Sequence, residues 1–192
     1  MARPLRTFVA LEISDAVRQR TLQLIEQLRR AQVEVKWVEA ENLHLTLKFL
    51  GDVDPLELPE VCRAVEKAAV GEAPFRMQLR GAGAFPSLDR PRILWLGVGV
   101  GNEQVSELFE RIDQTLAEAG FAPESRKFHP HMTLGRIRRA FKGVSDLADL
   151  LRRRHDFEAG TCDVTQAVVF VSQLGRGGPR YEAVARLPLR GT

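Results

Sequence analysis

A mixed α+β fold is predicted by three features of this 192-residue sequence. Amphipathic helical segments alternate with short strand-like runs, strands often follow one another directly, and no Gly/Ser-rich or Pro-rich linker divides the chain. A regular strand-helix-strand series, the sign of a parallel sheet, is not present. A chain of this length forms one domain, or two small lobes sharing a core, and buries about 70% of its unfolded surface.

The elements follow in order. Strand-like runs occupy residues 7–11, 35–38, 42–50, 75–80, 93–98, 131–137, 167–172 and 181–187, each rich in β-branched or alternating apolar residues. Ser14 is the predicted N-cap of a first helix whose inward stripe is Val17, Thr21, Leu24, Ile25 and Leu28, at spacings of three and four. A second helix begins near Asn102, carries Val105, Leu108, Phe109, Ile112 and Leu116, and ends at Gly120, the residue best suited to a left-handed cap. Shorter helices are predicted over residues 59–69, with Val61, Cys62, Val65 and Ala69 inward, and over 144–154.

Composition excludes several classes. Apolar residues make up 44% and charged residues 28% of the chain, which does not fit a disordered or collagen-like protein. The longest nearly uncharged apolar run spans residues 93–101, far short of the roughly 20 residues of a membrane span. Residues 1–6 lead into Thr7 without an apolar leader segment, so a cytoplasmic location is expected. Cys62 and Cys162 lie in no metal-type pair and are expected as small core hydrophobes. The net charge of +3 is unevenly placed: residues 121–192 carry 13 basic and 7 acidic side chains, a net +6, gathered at Arg126-Lys127, Arg136, Arg138-Arg139, Lys142 and Arg152 to Arg154. An anionic partner is consistent with that excess.

One internal repeat carries chemistry. His44-Leu45-Thr46-Leu47 returns as His131-Met132-Thr133-Leu134, an interval of 131 − 44 = 87 residues. From composition, chance would place such a pattern after two of the four His about 2 times in 10,000. In a strand, side chains alternate between faces, so His44 shares a face with Thr46, and His131 with Thr133, while the Leu and Met residues point behind them. If the two copies come from related lobes, two imidazoles and two hydroxyls meet in one cleft. Near neutrality one imidazole can act as a base while the other is a charged acid. The hydroxyls can hold phosphate oxygens. That set fits the opening of a strained cyclic phosphodiester by water, with no metal, cofactor or covalent intermediate.

The pair of motifs and their flanks resemble the two-histidine phosphoesterase superfamily, and within it the bacterial and archaeal RNA 2′,3′-cyclic phosphodiesterases, historically called 2′-5′ RNA ligases. The matching stretches are residues 6–11, Trp37-Val38, 41–51, 91–97 and 128–136, so the likeness is nearly end to end, with Gly135 standing where the family often has Ala. The resemblance implies one bilobal catalytic domain over residues 1–192, with a motif in each half, two pseudo-twofold-related lobes of antiparallel sheet, helices outside and a central cleft. It implies hydrolysis of terminal 2′,3′-cyclic phosphates of RNA to 2′-phosphomonoesters, and reversible 2′-5′ joining of RNA ends, with hydrolysis dominant because water is about 55 M. By position, His44 would be the general acid and His131 the general base, although a symmetric cleft permits the opposite roles. Thr46 and Thr133 would bind phosphate, Phe49 would stack on the terminal base, and Arg136 would contact phosphate or base. Strand alternation alone points Phe49 and Arg136 away from the His-Thr face, so their roles require a break in each ladder. The expected partner is RNA with cyclic phosphate ends, and the expected state is a monomer.

Other readings compete. The same chemistry could serve small cyclic nucleotides or ADP-ribose 1″,2″-cyclic phosphate, or the fold could be a non-catalytic RNA-end binder. His129 with His131 lacks a third ligand at metal spacing, and no metal is expected. His155 reads as a surface residue. Residues 97–101 read as a turn and helix start, since they lack the dinucleotide-loop spacing. Residues 175–180 read as a hairpin tip whose Arg176 and Arg180 could touch RNA, and Tyr181 and Trp95 read as core.

Overall fold

A computed structural model of the chain describes residues 3–139, 143–175 and 178–191. Lys142, Arg176 and Gly177 lie outside the described residues. The elements run β1 (Leu5–Leu11), α1 (Asp15–Leu28), β2 (Glu34–Trp37), β3 (Leu45–Val53), α2 (Leu58–Val70), β4 (Phe75–Phe85), β5 (Ile93–Val98), α3 (Asn102–Glu118), β6 (His131–Arg139), α4 (Val144–Arg152), β7 (Glu158–Val164), β8 (Gln166–Gly175) and β9 (Gly178–Pro188).

The helices form where periodicity places them. The Ser14 hydroxyl accepts from the Val17 amide at 3.3 Å, and α1 buries Val17, Thr21, Leu24, Ile25 and Leu28, the whole expected stripe. Helix α3 buries its five expected residues and ends at Gly120, whose φ of 92° lets the Phe121 amide reach back to the Leu116 carbonyl at 2.9 Å. Of residues 97–101, Gly97 and Val98 end β5 and only 99–101 form the turn and helix start, with Gly101 as the α3 N-cap. Helix α4 is shorter than expected and stops at Arg152. Cys162 is buried, but Cys62 is only half-buried on α2 and is not a core residue.

The sheet holds two surprises for a reading by propensity. Strand β7 was not expected, because its sequence Glu158 to Val164 carries only Ala159, Cys162 and Val164 as small buried residues. Pairing with β4 makes it a strand, which is tertiary context overriding a weak local signal. Strand β3 starts at Leu45, three residues later than expected, after a short 3₁₀ turn over Ala40–Asn42. His44 therefore sits just ahead of its ladder.

All described pairings are antiparallel, in the order β7-β4-β5-β6-β3-β1-β8-β9 with β2 beside β6. Two halves, β7-β4-β5-β6 and β3-β1-β8-β9, join through one residue pair, Leu45 opposite Met132. Because 132 − 45 = 87, Leu45 faces its own repeat counterpart there, and a local pseudo-twofold axis passes through the pair. Beyond it β3 diverges, and β2 takes its place along β6 from Gly135 to Arg139. A side chain at Gly135 would put its Cβ 2.6 Å from Val35 Cγ1 and 3.0 Å from the Trp37 ring. Glycine there is a packing requirement of this chain.

Lys48, the counterpart of Gly135, points inward. Its ammonium pairs with Asp113 of α3 and donates to the Ala122 carbonyl at 2.8 Å. Asp113 also accepts from the Glu124 amide at 3.0 Å, so one buried charge ties β3 to α3 and to the segment that leads into β6. Removing one partner of a buried pair leaves the other uncompensated. Lys48→Ala is expected to lower stability by about 3 kcal/mol, and Lys48→Met with Asp113→Leu to recover most of that loss, both read from urea unfolding midpoints.

Candidate active site

Strand geometry at the junction collects the motif side chains. Leu45 and Met132 are fully buried, so the residues flanking them, His44, Thr46, His131 and Thr133, emerge on the opposite face, each half-buried. Cross-strand neighbours in an antiparallel ladder lie about 5 Å apart and diagonal ones about 7–8 Å apart. Four polar groups thus converge on an area that a single phosphate can bridge.

Both imidazoles are held in the same way. His44 Nδ1 donates to the Asn42 carbonyl at 2.7 Å, and His131 Nδ1 donates to the His129 carbonyl at 2.6 Å. A carbonyl only accepts, so each Nδ1 carries the proton and each neutral ring keeps its Nε2 lone pair available. The Thr46 hydroxyl donates to His44 Nε2 at 2.8 Å. Among the described residues, Thr133 and His131 form no matching bond. Buried Asn42 is pinned in turn, its side-chain amide donating to the Pro179 carbonyl at 2.9 Å. The orienting carbonyls obey the repeat, since 129 − 42 = 87.

The ladder break needed for Phe49 and Arg136 is present twice. Along β3, Val9 faces Lys48 while Ala10 faces Thr46, which leaves Leu47 as an extra residue. Along β6, Leu94 faces Gly135 while Trp95 faces Thr133, which leaves Leu134 as the extra residue. These β-bulges stand 87 residues apart, 134 − 47. Each buries two consecutive residues, Leu47-Lys48 and Leu134-Gly135, and restores the next one to the open face. Phe49 and Arg136 emerge exposed beside the His-Thr cluster, Phe49 with 63% of its surface accessible.

Aromatic rings wall the site, and of these the sequence assigned a part only to Phe49. Phe8 stacks on His44 at 5.0 Å, Tyr181 meets His44 edge-on at 5.3 Å, and Phe170 stacks on Phe8 at 5.3 Å. Phe49 lies 5.8 Å from Phe8 and extends this platform outward. Phe85 meets His131 edge-on at 5.0 Å and packs on Trp95 at 5.2 Å. Tyr181 and Trp95 are half-buried and belong to these walls, not to the core. Phe8 and Tyr181 sit in strand-like runs of the sequence, and only the strand order β3-β1-β8-β9 converts that into contact with His44. His155 is exposed on the surface, its Nδ1 donating to the Arg152 carbonyl at 2.9 Å.

Burial lowers the pKa of both imidazoles from the ordinary 6.5, and in each case the hydrogen bond to the carbonyl opposes the shift. His131 is pushed down further by the positive charges of His129 and Arg136. Burial raises the Tyr181 hydroxyl, against the pull of Arg136 and Arg6, which places both guanidiniums near this ring. Among the described residues, no three His, Cys, Asp or Glu side chains converge as metal ligands.

Two anchored imidazoles, two hydroxyls and an adjoining cation on one face are the groups that acid–base cleavage of a phosphoester requires. Comparison with known proteins narrows the class. The family model of the LigT-like phosphoesterases matches residues 11–95 and again 98–181, two segments whose starts also lie 98 − 11 = 87 apart, and the chain belongs to that family. It is 38% identical over 165 residues to an Aeropyrum pernix protein named RNA 2′,3′-cyclic phosphodiesterase, covering 86% of this chain and 92% of that one. A Methanothermobacter thermautotrophicus protein of the same name is 35% identical over 176 residues, covering 92% and 94%. The fold matches the crystal structure of TT0787 of Thermus thermophilus with a TM-score of 0.79 at 28% identity, over 97% and 98% of the chains. It matches E. coli LigT complexed with 3′-AMP at 0.74 and 25% identity, over the same shares.

Lowered histidine pKa values have a signed consequence. Below the ordinary 6.5 the unfolded chain takes up protons that the native rings still refuse, so stability falls as pH falls through this window. Histidine NMR is expected to show His44 and His131 titrating below 6.5 in the free protein. A bound nucleoside 2′-phosphate, bringing an anion to both rings, should move both titrations upward.

Proposed function

We propose that this chain is an RNA 2′,3′-cyclic phosphodiesterase, working as one bilobal catalytic domain with a motif in each half. The observation that carries the reading is the pair of Nδ1-anchored imidazoles, related by a pseudo-twofold axis, on one polar face. The names of the relatives support the substrate class.

In this mechanism the terminal cyclic phosphate lies over the junction, its non-bridging oxygens held by Thr46 and Thr133. His131 Nε2 takes a proton from water as the oxygen attacks phosphorus. His44, protonated, gives its Nε2 proton to O3′ as the P–O3′ bond breaks, leaving a 2′-phosphomonoester. Burial lowers both rings, and at His131 the positive neighbours His129 and Arg136 add to it; the resemblance of the motifs assigns His131 as the base and His44 as the acid. Phe49 stacks on the terminal base from the Phe8 platform, and Arg136 binds phosphate or base. The reaction needs no metal or cofactor and no covalent intermediate, because ring strain and paired proton transfers suffice. We read the enzyme as a cytoplasmic monomer; no helix among the described residues is long and apolar enough to cross a membrane.

The test is a short RNA with a 2′,3′-cyclic phosphate, incubated in EDTA without nucleotide. Wild-type protein should release the 2′-phosphomonoester, and His44→Ala and His131→Ala should each lower kcat by about 10² to 10⁴. Loss of activity in EDTA, or full activity in either variant, refutes the mechanism. Turnover of a cyclic mononucleotide but not of the oligonucleotide moves the substrate class to small cyclic phosphates.

The pH dependence follows from the same site. The kcat/KM profile reports the two coupled groups of the free enzyme. It should be bell-shaped, with its optimum on the acid side of 6.5, because both imidazoles are lowered from that value. An optimum above about 8 would remove the two histidines from the rate-determining proton transfers.

A further inference from the structure

The repeat extends beyond the catalytic face. Arg3-Pro4 returns as Arg90-Pro91, again 90 − 3 = 87 residues on, and each copy lines a cavity. The first, of about 660 Å³, is bounded by Arg3, Pro4, Leu5, Gly51 and Asp52 among others, and Arg6 also faces it. The second, of about 420 Å³, is bounded by Arg90, Pro91, Arg92, Arg138 and Arg139 among others. Adding 87 to the first five residue numbers gives the second five, so the cavities are equivalent places in the two halves.

Their positions relate to the site. Ala10 faces Thr46 and stands four residues from Arg6; Trp95 faces Thr133 and stands four residues from Pro91. At about 3.3 Å per residue each cavity lies about 13 Å from its motif threonine. Strands β3 and β6 leave the Leu45–Met132 pair in opposite directions, so the cavities flank the catalytic face on its two sides. Each continues that face: Arg6 shares a face of β1 with Phe8, and Arg138 follows Arg136 by two residues on β6.

The two halves differ in chemistry. Toward the first cavity the surface is aromatic, with Phe8, Phe49, Phe170 and Tyr181. Toward the second, where Phe85 and Trp95 wall His131, Arg136 replaces Phe49, and the cavity gathers four arginines, none with an ion-pair partner among the described residues. Its one acid, Asp89, is engaged by Arg152 at 3.4 Å. Of the four arginines only Arg90 has an arginine counterpart, Arg3; Arg92, Arg138 and Arg139 stand where the first half has Leu5, Gly51 and Asp52, so the gathered charge is particular to the second cavity. A base platform suits the nucleotide that carries the reacting phosphate, whereas a cluster of guanidiniums suits backbone phosphates.

Building on the proposed function, we infer that the Arg90, Arg92, Arg138 and Arg139 cavity is a backbone subsite for a second RNA strand, the one whose hydroxyl takes the place of water at His131. The Arg3 and Arg6 cavity takes the backbone of the strand bearing the cyclic phosphate. In the joining step the 5′ hydroxyl oxygen of the second strand bonds to phosphorus and the P–O3′ bond breaks. His131 accepts the hydroxyl proton, His44 supplies one to O3′, and a 2′-5′ phosphodiester remains with nothing oxidised or reduced. The cavity thereby governs whether the cyclic phosphate is joined or hydrolysed.

The experiment compares wild type with Arg138→Ala/Arg139→Ala in two measurements. In the first, binding of a fluorescent oligoribonucleotide with 5′ and 3′ hydroxyl ends is followed against salt. Two lost phosphate contacts should make the logarithmic slope shallower by about 1.4, at about 0.7 each; an unchanged slope overturns the inference. In the second, a cyclic-phosphate RNA and a 5′-hydroxyl RNA are supplied together. The ratio of joined to hydrolysed product should fall about tenfold, the equivalent of about 1.4 kcal/mol. Joining and hydrolysis falling by a common factor would assign the cavity to the cyclic-phosphate strand and overturn the inference. A wild-type protein that binds RNA but opens no cyclic phosphate refutes the proposed function, while the salt slope still judges the cavity.

Discussion

The structure depends on one residue pair. Where Leu45 meets Met132, two strands that would otherwise belong to separate sheets touch, and the repeat faces itself across an axis of pseudo-symmetry. Both side chains are fully buried, so they fix which face of the junction is core and which is site. One apolar contact beneath the face therefore sets the relation of two imidazoles and two hydroxyls above it. Because β3 and β6 pair there and then part, the ladder does not fill the space over the junction. The tight passage of β2 past Gly135 makes that parting possible.

Around this junction, the polar groups follow the same symmetry and depart from it at a few positions. Each histidine is anchored by a carbonyl two residues before it, and each ladder carries a bulge after the motif. The departures are informative. Lys48 and Gly135 occupy equivalent positions, one carrying a buried charge into α3 and the other making room for a strand. Phe49 and Arg136 are likewise equivalent, one offering a π-face and the other a charge. The repeat supplies matched imidazoles, and the positions where it does not match give the halves different surfaces.

The electrostatic consequence is a site that holds protons weakly until its ligand arrives. Burial disfavours the imidazolium at both positions, the carbonyl anchors oppose it, and positive neighbours add to it at His131. An acid and a base differing in environment can thus be drawn from two identical side chains. Under the proposed mechanism, a bound phosphodiester anion would supply the missing countercharge and couple substrate binding to protonation of the rings.

Much of this was legible in the sequence. The stripes of α1 and α3, their caps, the 87-residue repeat and the two His-Thr faces follow from periodicities that a backbone of known geometry imposes on its own side chains. The aromatic wall, strand β7, the half-exposed Cys62 and the place of Tyr181 were not legible. They depend on which strands become neighbours, and Phe8, Phe170 and Tyr181 meet His44 only because β1, β8 and β9 line up beside β3. The clearest case is the pair of bulges: simple alternation pointed Phe49 and Arg136 away from the site. Which residues make up the candidate site could be read from the chain alone, because residue type and local period belong to the chain. Which of them face one another came from the assembled sheet, because an inserted residue changes a side chain's face only in a ladder that has already formed.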